Sequence, residues 1–171
     1  MNSKHKRCTL IKLLVLDVDG CLTDGKIYYT NSGDEIKAFN VKDGLAINAW
    51  KKSGKKVAII TGRESKIVKK RADELRVDYL FQGVKDKLAT LEKILEKEGI
   101  LLDEVAAIGD DLNDLKLLKA VKWAFAPKDA ASKVLECAHT TLSSCGGKGA
   151  AREMIDRIFE KENFNMEDLW L

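Results

Sequence analysis

Five short apolar runs, each followed by a stretch of helical periodicity, constrain this chain more than any other feature. They are Leu13-Leu14-Val15-Leu16, Val57-Ala58-Ile59-Ile60, Tyr79-Leu80-Phe81, Val105-Ala106-Ala107-Ile108 and Trp123-Ala124-Phe125-Ala126. The first, second and fourth show no alternation of apolar and polar residues, which is how strands covered on both faces of a parallel sheet read. Between and after them, apolar stripes recur at three- or four-residue steps: Ile67, Val68, Arg71, Ala72 and Leu75, then Leu88, Leu91 and Leu95, then Leu112, Leu115 and Leu118, then Met154, Ile155, Ile158 and Phe159. Alternating strand and helix predicts an α/β fold with a doubly wound parallel sheet. One segment breaks the rhythm. From Lys26 to Phe39, two β-prone pieces flank Asn31-Ser32-Gly33-Asp34, a strong turn signal, and this predicts a β-hairpin inserted after the first strand.

At 171 residues the chain fits one domain and can bury a core without disulfides or a structural metal. No Pro/Ser-rich linker or internal repeat divides it. Lys and Arg total 30 against 27 Asp and Glu, a formal charge of +3. The positives are scattered, with no dense basic run beside aromatics, so nucleic acid is not indicated and an anionic small molecule remains open. The basic start, Met1 to Arg7, precedes an apolar run that Lys12 interrupts and Asp17 and Asp19 end. That run is too short for a secretory signal or a membrane span, and the reading is a cytoplasmic protein. Cys8, Cys21, Cys137 and Cys145 lack CxxC spacing, with His5 and His139 the other soft ligands, and read as reduced thiols. The tail from Asn163 to Leu171 carries Trp170 and Leu171, which predicts docking on this chain or another.

In open parallel sheets, ligands bind beyond the carboxyl ends of the strands. There the chain places Asp17-Val18-Asp19-Gly20, Thr61-Gly62-Arg63 and Gly109-Asp110-Asp111, with Lys87 opening the helix after the third strand. Carboxylates gathered on one rim repel one another unless a cation joins them. Mg²⁺ suits such hard oxygen donors, with Asp17 and Asp110 as carboxylate ligands and Asp19 offering its backbone carbonyl. An aspartate beside the metal is a competent nucleophile toward phosphorus. Thr61 and Gly62 can donate to the transferring oxygens, Lys87 can neutralise growing charge, and Asp19 can act as acid and then base.

These residues lie in motifs that resemble those of the haloacid dehalogenase superfamily. Asp17-Val18-Asp19-Gly20-Cys21-Leu22-Thr23-Asp24-Gly25 is similar to its motif I, and Ile59-Ile60-Thr61-Gly62-Arg63 to motif II. Lys87 resembles the motif III lysine, and Gly109-Asp110-Asp111-Leu112-Asn113-Asp114 motif IV. The likeness runs from about Leu13 to Phe159. Within the superfamily the chain resembles the small capless phosphatases of 3-deoxy-D-manno-octulosonate 8-phosphate (KDO 8-phosphate). The hairpin, the segment Phe39-Asn40-Val41-Lys42-Asp43-Gly44 and the segment Gly146-Gly147-Lys148-Gly149-Ala150-Ala151-Arg152-Glu153 carry that closer likeness. The resemblance implies Asp17 as nucleophile, Asp19 as acid and base, and Mg²⁺ on Asp17, the Asp19 carbonyl and Asp110. It implies catalytic roles for Thr61 and Lys87, and substrate contacts from Asp19, Gly62, Arg63, Lys87 and Lys148. It also implies a homotetramer whose neighbouring subunit covers each site, acting in lipopolysaccharide precursor synthesis. The family often has Arg where Lys148 stands, and Lys lacks the bidentate fork.

Several residues carry a plainer reading beside the functional one. Asp110 and Thr61 could be helix caps. Asp111 and Asp114 could touch the metal, or Asp114 could instead hold Lys87 or the motif IV loop. Lys85 rivals Lys87, Arg63 could be a solvated helix-start residue, and Lys51-Lys52 and Lys69-Lys70-Arg71 read as solvated faces. Three other functions stay open at this level. One is a phosphatase of nine-carbon sugar-acid 9-phosphates, in which the position of Arg63 is often acidic. The second is a receiver-like phospho-accepting module, and the third a scaffold that keeps the pocket without catalysis.

Overall fold

The computed structural model describes residues 10–170. The basic start, His5, Cys8 and Leu171 therefore lie outside the described residues. Six strands form one parallel sheet: β1 (Leu13–Leu16), β4 (Lys56–Ile60), β5 (Tyr79–Phe81), β6 (Val105–Ile108), β7 (Trp123–Ala126) and β8 (Thr140–Thr141). Their order is β5-β4-β1-β6-β7-β8. The short strands β2 (Tyr28–Tyr29) and β3 (Glu35–Ile36) pair antiparallel in the segment after β1, with Tyr28 opposite Ile36. The helices are α1 (Val41–Lys52), α2 (Lys66–Leu75), α3 (Lys87–Glu98), α4 (Leu115–Leu118), α5 (Ser132–Cys137) and α6 (Ala150–Lys161).

The central strand shows why the apolar runs lack alternation. Successive side chains on a strand point to opposite faces. In β1, Leu14 and Leu16 face Ile47, Trp50, Met154, Ile155 and Phe159 on one side. Leu13 and Val15 face Leu91, Ile94, Leu117 and Leu118 on the other. Both faces are covered, so every position of β1 is buried.

Four elements differ from the sequence pattern, each for a packing reason. The face that α1 buries includes Asp43, Gly44, Ala46 and Ala49 beside Ile47 and Trp50, so small and polar residues hide its stripe. The stripe Leu112, Leu115 and Leu118 is not one helix face. Leu112 lies in a separate 3-10 turn, Leu112–Asp114, and is 59% exposed, whereas Leu117 and Leu118 are buried in α4. The edge strand β8 consists of two threonines, and α5 buries only Val134, so neither leaves a periodic signal. The tail docks on its own chain. Phe164, Met166 and Leu169 pack against the core, and Lys52 Nζ sits 3.6 Å from the centre of the Trp170 ring. Among the described residues, no helix is long and apolar enough to cross a membrane.

Candidate active site

The sheet order places the carboxyl ends of β4, β1 and β6 side by side, with chain connections leaving to either side of β1. That is where an open α/β sheet forms its crevice. Asp17 follows β1, and its backbone N–H donates to the Ile108 carbonyl at 3.2 Å, which carries the chain straight off the sheet. A wide turn then runs over Val18–Leu22, closed by the Thr23 N–H on the Val18 carbonyl at 3.0 Å. Gly20 is required within it. Its φ is +90°, and a Cβ there would stand 2.0 Å from Asp110 Oδ2. The glycine-rich segment closes over the same turn. A Cβ on Gly146 would lie 1.9 Å from the Gly20 carbonyl oxygen, and Gly147 N–H donates to the Cys21 carbonyl at 3.0 Å.

Beneath this rim lies a buried charge triad. Lys87, in the first turn of α3, donates to Asp17 Oδ1 at 2.6 Å and to Asp114 Oδ1, and it is 3% exposed. The other oxygen of Asp114 accepts from the backbone N–H groups of Asp110 at 3.1 Å and Asp111 at 3.4 Å. Asp114 thus holds both Lys87 and the loop after β6, the second of its two sequence readings. Asp111 caps the turn that follows by accepting from Leu112 N–H at 2.7 Å. The cap of α2 is Ser65, so Thr61 is not spent on capping.

A cavity of about 240 Å³ opens above the triad, lined by Asp17, Asp19, Thr61, Gly62, Arg63 and Asp110 together with Gly25, Asp111 and Asn113. Six of the eight residues singled out from the sequence therefore meet on one surface. Lys87 lies below that surface, bonded to Asp17. Lys148 is outside the lining, exposed on the turn after Gly147. A larger recess of about 550 Å³, between the ends of α1 and α2 and Trp170, has lysines and arginine on its rim but no acid cluster.

The donor set of the cavity fits a hard divalent cation. Oxygens of Asp17 and Asp110 and the sulfur of Cys21 lie within 4.8 Å of one another. Burial, then the charge of Asp114, outweighs Lys87 and pushes the Asp17 carboxyl up to about 7. Burial, then Asp17, Asp114 and Asp111, pushes Asp110 up to about 7 as well. Two carboxylates that resist ionising together are what a cation between them would relieve. Burial and the same carboxylates push the Cys21 thiol up, so it stays a neutral thiol and leaves the oxygens as ligands. Cys137 and Cys145 are free thiols.

Two residues that sequence reasoning passed over enter the site from the hairpin. Lys37 donates to Asp19 Oδ1 and stands 3.4 Å from Glu35 Oε1. Glu35 also accepts from Arg63 at 2.9 Å and from the Ser65 hydroxyl at 2.7 Å. The available signal was the two-residue period of the outgoing strand, which turns Glu35 and Lys37 to one side and the exposed Ile36 to the other.

Comparison with known proteins agrees with this geometry. Residues 80–154 match the family model of the haloacid dehalogenase-like hydrolases. The 3-deoxy-D-manno-octulosonate 8-phosphate phosphatase of Escherichia coli K12 is 44% identical over 148 residues, covering 86% of this chain and 79% of that protein. The crystal structure of the phosphatase of that name from Yersinia pestis superposes with a TM-score of 0.88 at 41% identity, covering 92% of this chain and 85% of the other. The Moraxella catarrhalis phosphatase of the same name, solved with magnesium, phosphate and KDO, gives a TM-score of 0.90 at 40% identity over 94% of this chain and 92% of that one.

Proposed function

The chain belongs to the haloacid dehalogenase-like hydrolases, among the 3-deoxy-D-manno-octulosonate 8-phosphate phosphatases, and from that membership and its site we propose that it hydrolyses KDO 8-phosphate to KDO and phosphate with Mg²⁺. The observation that carries the chemistry is the approach of Asp17 and Asp110 over a buried lysine. Mg²⁺, held by Asp17, Asp110 and the Asp19 carbonyl, supplies charge neutralisation between an anionic nucleophile and a phosphate dianion. Asp17 attacks phosphorus and becomes an aspartyl-phosphate while the sugar oxygen leaves. Asp19 gives that oxygen its proton, then takes one from the water that cleaves the acyl phosphate. The Thr61 hydroxyl and Gly62 N–H hold the transferring oxygens, and Lys87 keeps Asp17 in place and offsets negative charge beneath it.

Arg63 is the cation at the cavity mouth and is assigned to the carboxylate end of the substrate. Lys148 is assigned a secondary contact at most, because it stands off the lining. A volume of about 240 Å³ takes the phosphoryl group rather than a whole sugar acid, since sites that enclose a small ligand run to roughly 300–1,000 Å³. The sugar therefore needs a cover from outside this chain. The chain works as one domain, in the cytoplasm, in a homotetramer whose neighbouring subunit supplies that cover. Ile27, Tyr28, Tyr29 and Ile36 are 47%, 43%, 65% and 50% exposed on the hairpin, an apolar surface suited to self-association. Sedimentation should give a tetramer for the wild type and a smaller species for Ile36→Lys; a monomeric wild type would remove the assembly. The substrate is tested by initial rates on 2-keto-3-deoxy sugar-acid phosphates with Mg²⁺. A clear preference for KDO 8-phosphate is expected, preference for a nine-carbon 9-phosphate would reassign the substrate, and equal slow rates on every monoester would cancel it.

A further inference from the structure

We propose that Lys37 is a positioning residue that fixes the Asp19 carboxylate for proton transfer to the leaving oxygen, with Glu35 bracing Lys37 and Arg63 together. This rests on the reading of Asp19 as acid and base given above. The Lys37 side chain is 1% exposed, although it belongs to a two-strand hairpin whose Ile27, Tyr28, Tyr29 and Ile36 are open to solvent. A lysine is buried in this way only when partners compensate the loss of water, and here both partners are carboxylates, of which Asp19 lines the cavity. Its ammonium binds Asp19 Oδ1. Among the described residues Asp19 Oδ2 accepts no hydrogen bond, and Asp19 lines the cavity. Engaging one oxygen sets the rotation of the carboxyl and leaves the other for the proton.

Glu35 sits between the two cations. Oε1 accepts from Arg63 and lies beside Lys37, and Oε2 accepts from Ser65 at the start of α2. The hairpin is thereby fastened to β4 and α2 by its inner face, while its outer face stays free for a neighbouring copy. The step that Lys37 serves is balanced within the site. The bond from phosphorus to the sugar oxygen breaks as the bond from phosphorus to Asp17 forms, and the Asp19 proton passes to the sugar oxygen. In the second half-reaction a water oxygen bonds to phosphorus, the Asp17 oxygen is released, and the water proton returns to Asp19.

The test separates proton delivery from everything else through the leaving group. A sugar alkoxide needs a proton as it departs, whereas p-nitrophenolate does not. The quantity read is the ratio of kcat/KM on KDO 8-phosphate to kcat/KM on p-nitrophenyl phosphate, since kcat/KM reports the steps through P–O cleavage. General acid catalysis is worth about a hundredfold or more, and a misplaced acid forfeits at least about tenfold of it. Asp19→Asn and Lys37→Met should both lower the ratio by that factor or more. Lys37→Arg should recover most of it, and Glu35→Gln should lower it by a smaller factor through kcat on KDO 8-phosphate rather than KM, since a disturbed Arg63 would act on binding of the substrate carboxylate. A loss of folding would depress both substrates and leave the ratio where it was, and each variant is compared only where its sedimentation matches the wild type, because losing the neighbouring subunit's cover would lower the ratio by itself. If Asp19→Asn lowers the ratio and neither Lys37→Met nor Glu35→Gln does, Lys37 does not position the acid and the assignment of Asp19 survives. An unchanged ratio in Asp19→Asn would overturn that assignment and the role of Lys37 with it.

Discussion

Asp17, Lys87 and Asp114 come from three different segments and meet out of water, with Lys87 bonded to both carboxylates. Removing one member of a buried ion cluster leaves uncompensated charge, which costs far more than the loss of a surface pair. Lys87→Met should therefore lower stability by about 3 kcal/mol in metal-free urea melts at pH 8, and a loss within the scatter of surface variants would show that the triad is not held as described. The acids and Lys87 were legible because each follows an apolar strand or opens a helix in a fixed order. Which of several acids did what was not legible. Asp114 declares its role only through the backbone N–H groups it binds, and Lys85 is separated from Lys87 only because Lys85 is exposed. The two-residue period sets Lys37 beside Glu35 but does not say that it is buried, as a lysine on a short hairpin ordinarily reads as a solvated one.

At the scale of elements, the segment after β8 is tied down by α6. Glu153, in the first turn of α6, accepts from Ser143 N–H at 2.9 Å and Ser144 N–H at 2.8 Å, and it pairs with Arg157. Burial pushes its carboxyl up, but the bonds from Ser143, Arg157 and Ser144 prevail and hold it at about 2, below its ordinary 4.5. Since the folded value lies below the unfolded one, this stabilisation is present above about pH 4.5 and fades as the pH falls toward about 2. Glu153→Gln should cost about 1–2 kcal/mol at neutral pH. The difference between wild type and variant should shrink across that acid range in denaturant melts, and a difference that does not depend on pH would contradict the assignment. The same helix meets α1 through Asp43 Oδ1, which accepts from Arg152 N–H at 2.8 Å. The Asp43 carboxyl is pushed up to about 6 by burial, against that bond, and among the described residues its buried Oδ2 has no partner. Sequence periodicity found α2, α3 and α6 because their buried faces carry large apolar residues at regular steps, such as Val68 and Leu75, Leu91 and Leu95, and Met154 and Ile158. It missed α1, where the buried face is built on alanine, glycine and an aspartate.

Across the whole molecule, a sheet covered on both faces provides a rigid floor, and every group assigned to the chemistry stands at one end of it. The α/β class and the rim at the strand ends both follow from uninterrupted apolar runs, which admit few other folds. What sequence alone leaves unsettled is set by distant segments meeting: the tail on α1, the glycine-rich turn against Gly20, and the hairpin closing on Arg63. The central claim is that Asp17 takes the phosphoryl group. Acid quenching of Asp19→Asn during turnover of ³²P-labelled p-nitrophenyl phosphate with Mg²⁺ tests it most directly, because the leaving group needs no acid while release of the acyl phosphate needs the missing base. Hydroxylamine-sensitive label should accumulate on the peptide that contains Asp17 and vanish when Asp17→Asn is added. Release of phosphate with no protein-bound label, or label on a different peptide, would contradict the account.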